Sequence, residues 1–474
     1  MGLVHILVTL FLSIVIALLA KGKWRSWAIL VASTLSIFWL QPASPIRHLD
    51  FWFPTLSLAL AALVWQVVIT KDKTRDRENR VTFLTIAGLI LALGLTRYIG
   101  KGTLLTSTRP PFLGSITLVL ILLAGLYFLI SRLKTKGLTL ASLGAIVILA
   151  LFVVLKSQPL AEAASRGFRL ITGQSVELAS AMDLQWLGFS YIAFRLLHVL
   201  RDHTLGRLPP LSLREFVCFV LFFPALPAGP IDRVERFQKD LAAPTQLTSE
   251  SALEAGGRVI LGIFKKFVLA DGLAYFALSA LNASQVHSST WLWVMLYAYG
   301  FRIYLDFSGY TDVAIGSGLL LGVRLPENFN RPYFKPNITT FWNSWHITLA
   351  QWFRGYFFNP LTRAMRTARV KLPTWTIILL GQVSTMALIG LWHGIAWNFL
   401  LWGLWHGLGL FLHNRWVALQ RSQPGWFPQN LMSREALKVL SVAFTFHFVL
   451  IGWIPFVIPE VDQILDVFLR LFGA

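Results

Sequence analysis

The chain has 474 residues, of which 55% are hydrophobic and only 14% charged, and its formal charge is +20. Soluble chains carry roughly 25% charged residues, so the polar side chains are too few to coat several globules, and disorder, a coiled coil or a nucleic-acid-binding domain fits poorly. The one cysteine, Cys218, rules out an intrachain disulfide framework and any cysteine-based zinc cluster. The composition is that of an all-α polytopic membrane protein.

Apolar runs of membrane-spanning length recur from the first residues. They cover about 3–20, 26–40, 51–70, 81–96, 114–131, 138–156 and 184–200. Further runs lie at about 212–226, 257–281, 290–305, 311–325, 374–392, 395–413 and 438–458. Some are short or broken by Gly and Pro, which predicts 11 to 13 spans plus re-entrant pieces. Long runs rich in Leu, Ala and Ile exclude an outer-membrane barrel, whose strands alternate in polarity. No basic residue precedes the first run and no clear small-residue cleavage site follows it, so it does not read as a cleaved signal peptide.

The basic residues sit mainly between the runs. Lys21, Lys23 and Arg25 follow the first run, Lys71, Lys73, Arg75, Arg77 and Arg80 the third, and Arg132, Lys134 and Lys136 the fifth. The alternate loops hold seven against these eleven: Arg47; Arg97, Lys101 and Arg109; Lys156, Arg166 and Arg169. This bias favours an outside N-terminus and a cytoplasmic first loop. Residues 1–180 are nearly plain hydrophobic spans, whereas 184–458 carry most of the polar groups placed within apolar surroundings, so the chemistry is expected in the second part.

Three clusters stand out there. In LYAYGFRIYLDFSGYTDVAIG (296–316), Arg302 and Asp306 are four residues apart, a good ion-pair spacing on a helix, and Asp312 follows an FSGY break. Glu327-Asn328-Phe329-Asn330 leads through Arg331 into a turn, because Pro332 and Pro336 disfavour a continuous helix. In WNSWHITLAQWFR (342–354), a helix would place Trp342, His346, Ala350 and Arg354 on one stripe, with Trp345 and Trp352 elsewhere. In LIGLWHGIAWNFLLWGLWHGLGL (388–410), two WHG triplets hold His393 and His406. Thirteen residues turn an ideal helix by about 220°, so the two cannot face one site on a straight helix. Glycines on their flanks permit close helix packing or backbone approach.

Intramembrane histidines suit general-base chemistry, a proton path or metal ligation. No metal is expected: HExxH is absent, and no carboxylate stands three to five residues from His393 or His406. There is no GxSxG elbow, no Walker loop, and no room for a soluble catalytic domain between the runs. From the residues alone, an enzyme acting inside the membrane and a transporter or channel with a histidine-lined path both stand.

Five ordered blocks carry a resemblance: LGFSYIAFRLLHVLRD (187–202), FFPALPAGPIDRVERF (222–237), IYLDFSGYTDVAIGSGLLLGVRLPENFNRPYF (303–334), FWNSWHITLAQWFRGYFFNPL (341–361) and GLWHGIAWNFLLWGLWHG (390–407), followed by TFHFVLIGWIPF (445–456). Over about 184–470 the chain resembles the membrane-bound O-acyltransferases, in the bacterial branch of the alginate O-acetylation protein and the D-alanine transfer protein of teichoic acids. The first 180 residues match it poorly.

The resemblance implies helices around a central funnel. It places the family's near-invariant histidine at His393 and its second functional histidine at His346, with His406 a weaker candidate. Asp306, Arg302, Asn328, Trp342, Trp345, Trp392 and Asn398 would support the site; in the basic stretch after the His346 helix, Arg354, Arg363 and Arg366 either anchor to anionic lipid or bind donor phosphates. The implied reaction moves an acyl group, acetyl first and D-alanyl as the alternative, from a cytoplasmic thioester to an exported hydroxyl. The donor would be acetyl-CoA or a phosphopantetheine-carried acyl group, with no tightly bound cofactor. Implied partners are membrane lipids, an SGNH-hydrolase-type or other extracytoplasmic acyltransferase, and an acyl carrier protein, in a bacterial inner membrane. Two departures concern the acceptor and partner: Gly355 stands where the family usually has Asp, and Thr362-Arg363 where it often has Gly-Gly.

Overall fold

A computed structural model describes residues 2–69, 76–99, 105–133, 137–243, 247–423 and 434–473. The loop charges Lys71, Lys73, Arg75, Lys101, Lys134 and Lys136 lie outside the described residues. The described residues are helices, turns and loops, with no strand among them. They fall into two compact units.

The first unit takes Met1–Ile260 and Asp312–Pro326. It contains α1 (Leu3–Leu19), α2 (Lys23–Leu40), α3 (Leu49–Val68), α4 (Asp76–Leu95), α5 (Leu113–Arg132), α6 (Gly137–Lys156) and α7 (Gln158–Ile171). Then come α8 (Phe189–Thr204), α9 (Leu213–Val220), α10 (Val234–Ala242) and most of α11 (Ser249–Ile263). Leu118, Ile121 and Leu122 on α5 and Leu143 and Ile146 on α6 are exposed, as lipid-facing positions must be. By contrast Leu196 and Val199 of α8 and Phe216 and Phe219 of α9 are buried. Helix α9 starts on a reciprocal cap: Glu215 N–H donates to Ser212 Oγ at 3.2 Å and Ser212 N–H to Glu215 Oε2 at 2.8 Å. It ends at Val220, and the chain goes on into a single tight turn at Phe223–Ala225 around Pro224. The run at 212–226 is therefore no span, since eight helical residues reach about 12 Å against a hydrocarbon core of about 30 Å. The carbonyls freed there are taken by Arg195, which donates to Val220 O at 2.9 Å and Ala225 O at 3.1 Å.

The second unit takes Leu261–Thr311 and Glu327–Ala474. After a wide π-turn over Phe264–Ala270 it contains α12 (Asp271–Ala274), α13 (Ala280–Ala283), the first part of α14 (Ser289–Leu320), α15 (Ile338–Trp342) and α16 (Ile347–Phe353). A second π-turn at Arg354–Phe358 leads into α17 (Asn359–Thr367), α18 (Thr374–His393), α19 (Trp397–Ser422), α20 (Arg434–Val457) and α21 (Val461–Leu471). The expected spans at 290–305 and 311–325 are one helix of 32 residues, unbroken at FSGY. A lone helical glycine costs only about 1 kcal/mol, too little to interrupt so long an element.

Among the described residues, α3, α4, α5, α6, α18 and α20 are long and apolar enough to cross a membrane, six helices in all. Helix α1 is apolar but has 17 residues, and α2, α14 and α19 are long but more polar. The chain is an all-α, multi-pass membrane protein.

Candidate active site

The histidine blocks meet in the second unit. Helices α18 and α19 form a hairpin, turning at Gly394–Ala396, so His393 ends one helix and His406 sits inside the next. The single straight helix considered from sequence is replaced by two, because Gly394 at the end of α18 takes up an extended conformation. Backbones touch along this hairpin. A Cβ on Gly390 would lie 2.1 Å from the Phe399 carbonyl oxygen, and one on Gly403 would lie 2.4 Å from that of Met386. No other residue permits that approach.

His346 does not continue a helix either. The predicted stripe from Trp342 to Arg354 is interrupted, since α15 stops at Trp342 and α16 starts at Ile347. His346 itself is left-handed, at φ 43° and ψ 52°. The Asn328 segment holds this conformation in place. Asn330 N–H donates to Ser344 O at 3.0 Å and Ile347 N–H to Asn328 O at 2.9 Å. The Asn328 Oδ1 accepts from Thr348 N–H at 3.2 Å and from the Thr348 hydroxyl at 2.6 Å, capping α16 from outside the helix.

His346 and His393 line one cavity of about 40 Å³. Trp342, Trp345 and Leu349 form one part of its wall, and Ile303 and Phe307 of α14 another. Ile389, Trp402, Trp453 and Phe456 complete it. The His346 ring stands 4.7 Å from Phe307 and 6.2 Å from Trp392, and the His393 ring 4.5 Å from Trp392, 4.8 Å from Phe456 and 5.5 Å from Trp402. Both ring nitrogens of His346 and the indole nitrogens of Trp342 and Trp402 are buried with no hydrogen-bond partner among the described residues. Buried polar atoms are normally paired, and these, like the ring nitrogens of His406 outside the cavity wall, can still take a partner. A second cavity of about 220 Å³ shares Trp342 and Ile389 with the first and is also lined by Ala350, Arg354 and Gln382.

The sequence-predicted residues distribute as follows. Trp342 and Trp345 line the histidine cavity, and Trp392 meets both histidine rings edge-on. Asn328 works on the backbone, as described, and Asn398 donates to Pro455 O at 3.1 Å, tying α19 to α20. The expected Arg302–Asp306 pair is not formed: Asp306 pairs with Lys266, which the π-turn brings within reach. Arg354 lines the larger cavity and donates to Asn343 Oδ1 at 2.6 Å, while Arg363 and Arg366 are exposed on α17. His406 is buried against Trp342 and Trp402 and is not part of the cavity wall.

Sequence reasoning missed Ile303, Phe307, Leu349, Ile389, Trp402, Trp453 and Phe456. The i, i+4 spacing of Ile303 and Phe307 was the available signal. It also missed a group in the first unit, where His198, Asp202 and Glu235 each bring a possible metal-ligand atom to within 4.8 Å of the others. There His198 Nε2 accepts from Val234 N–H at 3.4 Å and stands 3.6 Å from Asp202 Oδ2, so the protein supplies its partners.

The sequence profile of the MBOAT, membrane-bound O-acyltransferase family, matches residues 130–452. This chain belongs to that family. As an acyltransferase it is similar to the teichoic acid D-alanyltransferase of Bacillus subtilis (strain 168), 32% identical over 57% of this chain and 68% of the relative. It is also similar to the probable alginate O-acetylase AlgI of Azotobacter vinelandii, 33% identical over 61% of this chain and 53% of the relative. A peptidoglycan O-acetyltransferase of Helicobacter pylori (strain ATCC 700392 / 26695) is 33% identical over 55% of this chain and 46% of its own length. The chain thus spans about half the length of these two O-acetylating relatives. Family membership sets aside the transport path that the residues alone left open, in favour of an acyltransferase.

Proposed function

We propose that this acyltransferase takes a small acyl group from a cytoplasmic thioester and delivers it to a hydroxyl on an exported polysaccharide or on an extracytoplasmic partner of the SGNH-hydrolase type. Its seat is a bacterial inner membrane, and the catalytic part is residues 184–470. The observation that carries the reading is that His346 and His393, 47 residues apart in sequence, line one cavity with unpartnered polar atoms.

In this reading the acceptor oxygen attacks the thioester carbonyl carbon, and its proton passes to the His393 imidazole. The carbonyl oxygen gains the negative charge, which the buried N–H groups of Trp342, Trp402 or His346 offset. Collapse breaks the carbon–sulfur bond, and the thiolate leaves with the proton that His393 holds. The ester is formed and the imidazole returns neutral. The donor is acetyl-CoA or an acyl group on a phosphopantetheine arm delivered by a carrier protein. The larger cavity beside Arg354 suits that arm, since guanidinium pairs with phosphate through charge-assisted hydrogen bonds.

The test is the transfer of labelled acetyl from acetyl-CoA to membrane-associated acceptor in inverted vesicles. His393→Ala should lower it by about 100-fold or more, the usual scale for loss of a general base, with the protein's amount in the membrane unchanged. Equal transfer by the variant would overturn the assignment.

A further inference from the structure

The first unit holds a group of side chains that the proposed chemistry does not use. His198 and Asp202 stand four residues apart on α8, so both reach the same face of the helix. Glu235, the second residue of α10, meets them there: one possible ligand atom from each of the three lies within 4.8 Å of the other two. His198 is 1% and Asp202 5% exposed, and Glu235 is partly buried. Two carboxylates brought so close repel each other, and burial weakens the screening by water. Such a group calls for a cation.

Spacing and charge say which kind. Protein partners serve His198, but loosely. Its Nε2 stands 3.6 Å from Asp202 Oδ2, too long for a hydrogen bond. That separation suits two ligands of one metal ion: nitrogen and oxygen sit about 2.1 Å from Zn²⁺, hence about 3.4 Å from each other in a tetrahedral shell. The Val234 N–H facing the same nitrogen, at 3.4 Å, is a long contact that an ion would replace. A neutral imidazole with two carboxylates balances a divalent ion, whereas a protonated imidazole leaves one negative charge over. The basic side chains flanking the group in sequence are engaged elsewhere: Arg195 with the carbonyls of Val220 and Ala225, and Arg236 with Asp232 Oδ1 at 2.8 Å. Arg233 is exposed and carries its charge in water. Imidazole beside carboxylates suits zinc or manganese, whereas magnesium keeps to oxygen ligands.

We propose that His198, Asp202 and Glu235 bind one divalent transition-metal ion, most suitably Zn²⁺, with water completing its shell. The ion fastens α10 to α8 and closes the stretch between them, with its turn at Phe223–Ala225, into a loop. Closing a loop in this way stabilises the folded chain. The role is structural and stands independently of the acyl-transfer reading.

The experiment takes the full chain, purified in detergent through a histidine-free tag, and measures its bound metals by elemental mass spectrometry. The parent should carry about one zinc or manganese ion per chain, the content of a single three-residue site. After stripping with EDTA, ZnCl₂ or MnCl₂ alone should raise the thermal midpoint, as any ligand of the folded state does, and MgCl₂ should not. Glu235→Gln keeps the shape of the ligand and removes its charge. It should weaken Zn²⁺ binding by at least about 100-fold, since loss of an outer partner alone costs about 10–100-fold. Asp202→Asn makes the same change on the other helix and replaces the first variant should that fold poorly. A stripped parent that gains no thermal stability from ZnCl₂ or MnCl₂ overturns the site. So does Zn²⁺ bound equally by the parent and both variants, because the ion would then sit elsewhere.

Discussion

On the proposed function His346 carries two demands at once, a chemical one on its ring and a geometric one on its backbone. The left-handed conformation costs a residue with a Cβ about 1–2 kcal/mol, and among such residues asparagine bears it best. His346→Asn should therefore keep the fold and the thermal midpoint close to the parent's while transfer is lost, whereas His346→Val should lose both; thermal unfolding in detergent beside the vesicle assay separates them. If His346 and His393 serve one site, the double alanine variant should be scarcely slower than either single one, because groups that act together are not additive. Multiplying losses would place them in separate roles. The ring identities were legible in the sequence, since His346 and His393 sit in recognisable blocks. The turn was not: an isolated reading of WNSWHITLAQWFR gives a helix, and what prevents it is the hydrogen bonding of Asn328 and Asn330, residues outside the motif. Asn328→Ala removes both hydrogen bonds that Thr348 makes to Asn328 Oδ1, at a cost of about 1–3 kcal/mol. Transfer should fall with kcat rather than with the donor's KM.

Among the elements, the hairpin of α18 and α19 and the link from α7 to the turn at Ala181–Asp183 do different work. In the first unit, Asp183 accepts from Arg169 Nε at 2.9 Å and from Ser165 Oγ at 2.6 Å, with Arg169 and Asp183 both buried. Burial pushes the Asp183 carboxyl up, but the hydrogen bonds from Arg169 and Ser165 outweigh it and hold it below the usual carboxylate range. A carboxyl held low in the folded state stabilises above its unfolded pKa, and that contribution is lost as pH falls through the folded value. Arg169→Met strands a buried carboxylate and should cost about 3–5 kcal/mol. Arg169→Met with Asp183→Leu should recover most of it, as read from the thermal midpoint. The apolar runs foretold most helices, and erred where length alone decides: 212–226 is too broken to span, and 290–305 joins 311–325. The ion pair at Asp306 could not be foreseen, because its partner Lys266 lies 40 residues earlier and reaches it by a π-turn that no local pattern announces.

For the molecule as a whole, the charge bias of the loops predicts an inside and an outside, and the chain offers a clean way to check it. Its sole thiol, Cys218, is buried, so a cysteine placed in the first loop, as in Lys21→Cys, would be the reactive one. A membrane-impermeant maleimide should label it in inverted vesicles and not in intact cells; the reverse pattern would invert the assigned orientation and put the thioester on the wrong face. A last consequence follows from the contact between Gly390 and Gly403. Two helices joined backbone to backbone have no side-chain layer to slide on, so α18 and α19 move as one body and His393 with them. Whatever breathing admits and releases a guest falls to the remaining walls, on α14, on the stretch from Trp342 to Leu349, and on α20. If His393 is the base, as proposed, it then stays put while the door moves, and turnover can be limited by a wall that takes no part in the chemistry.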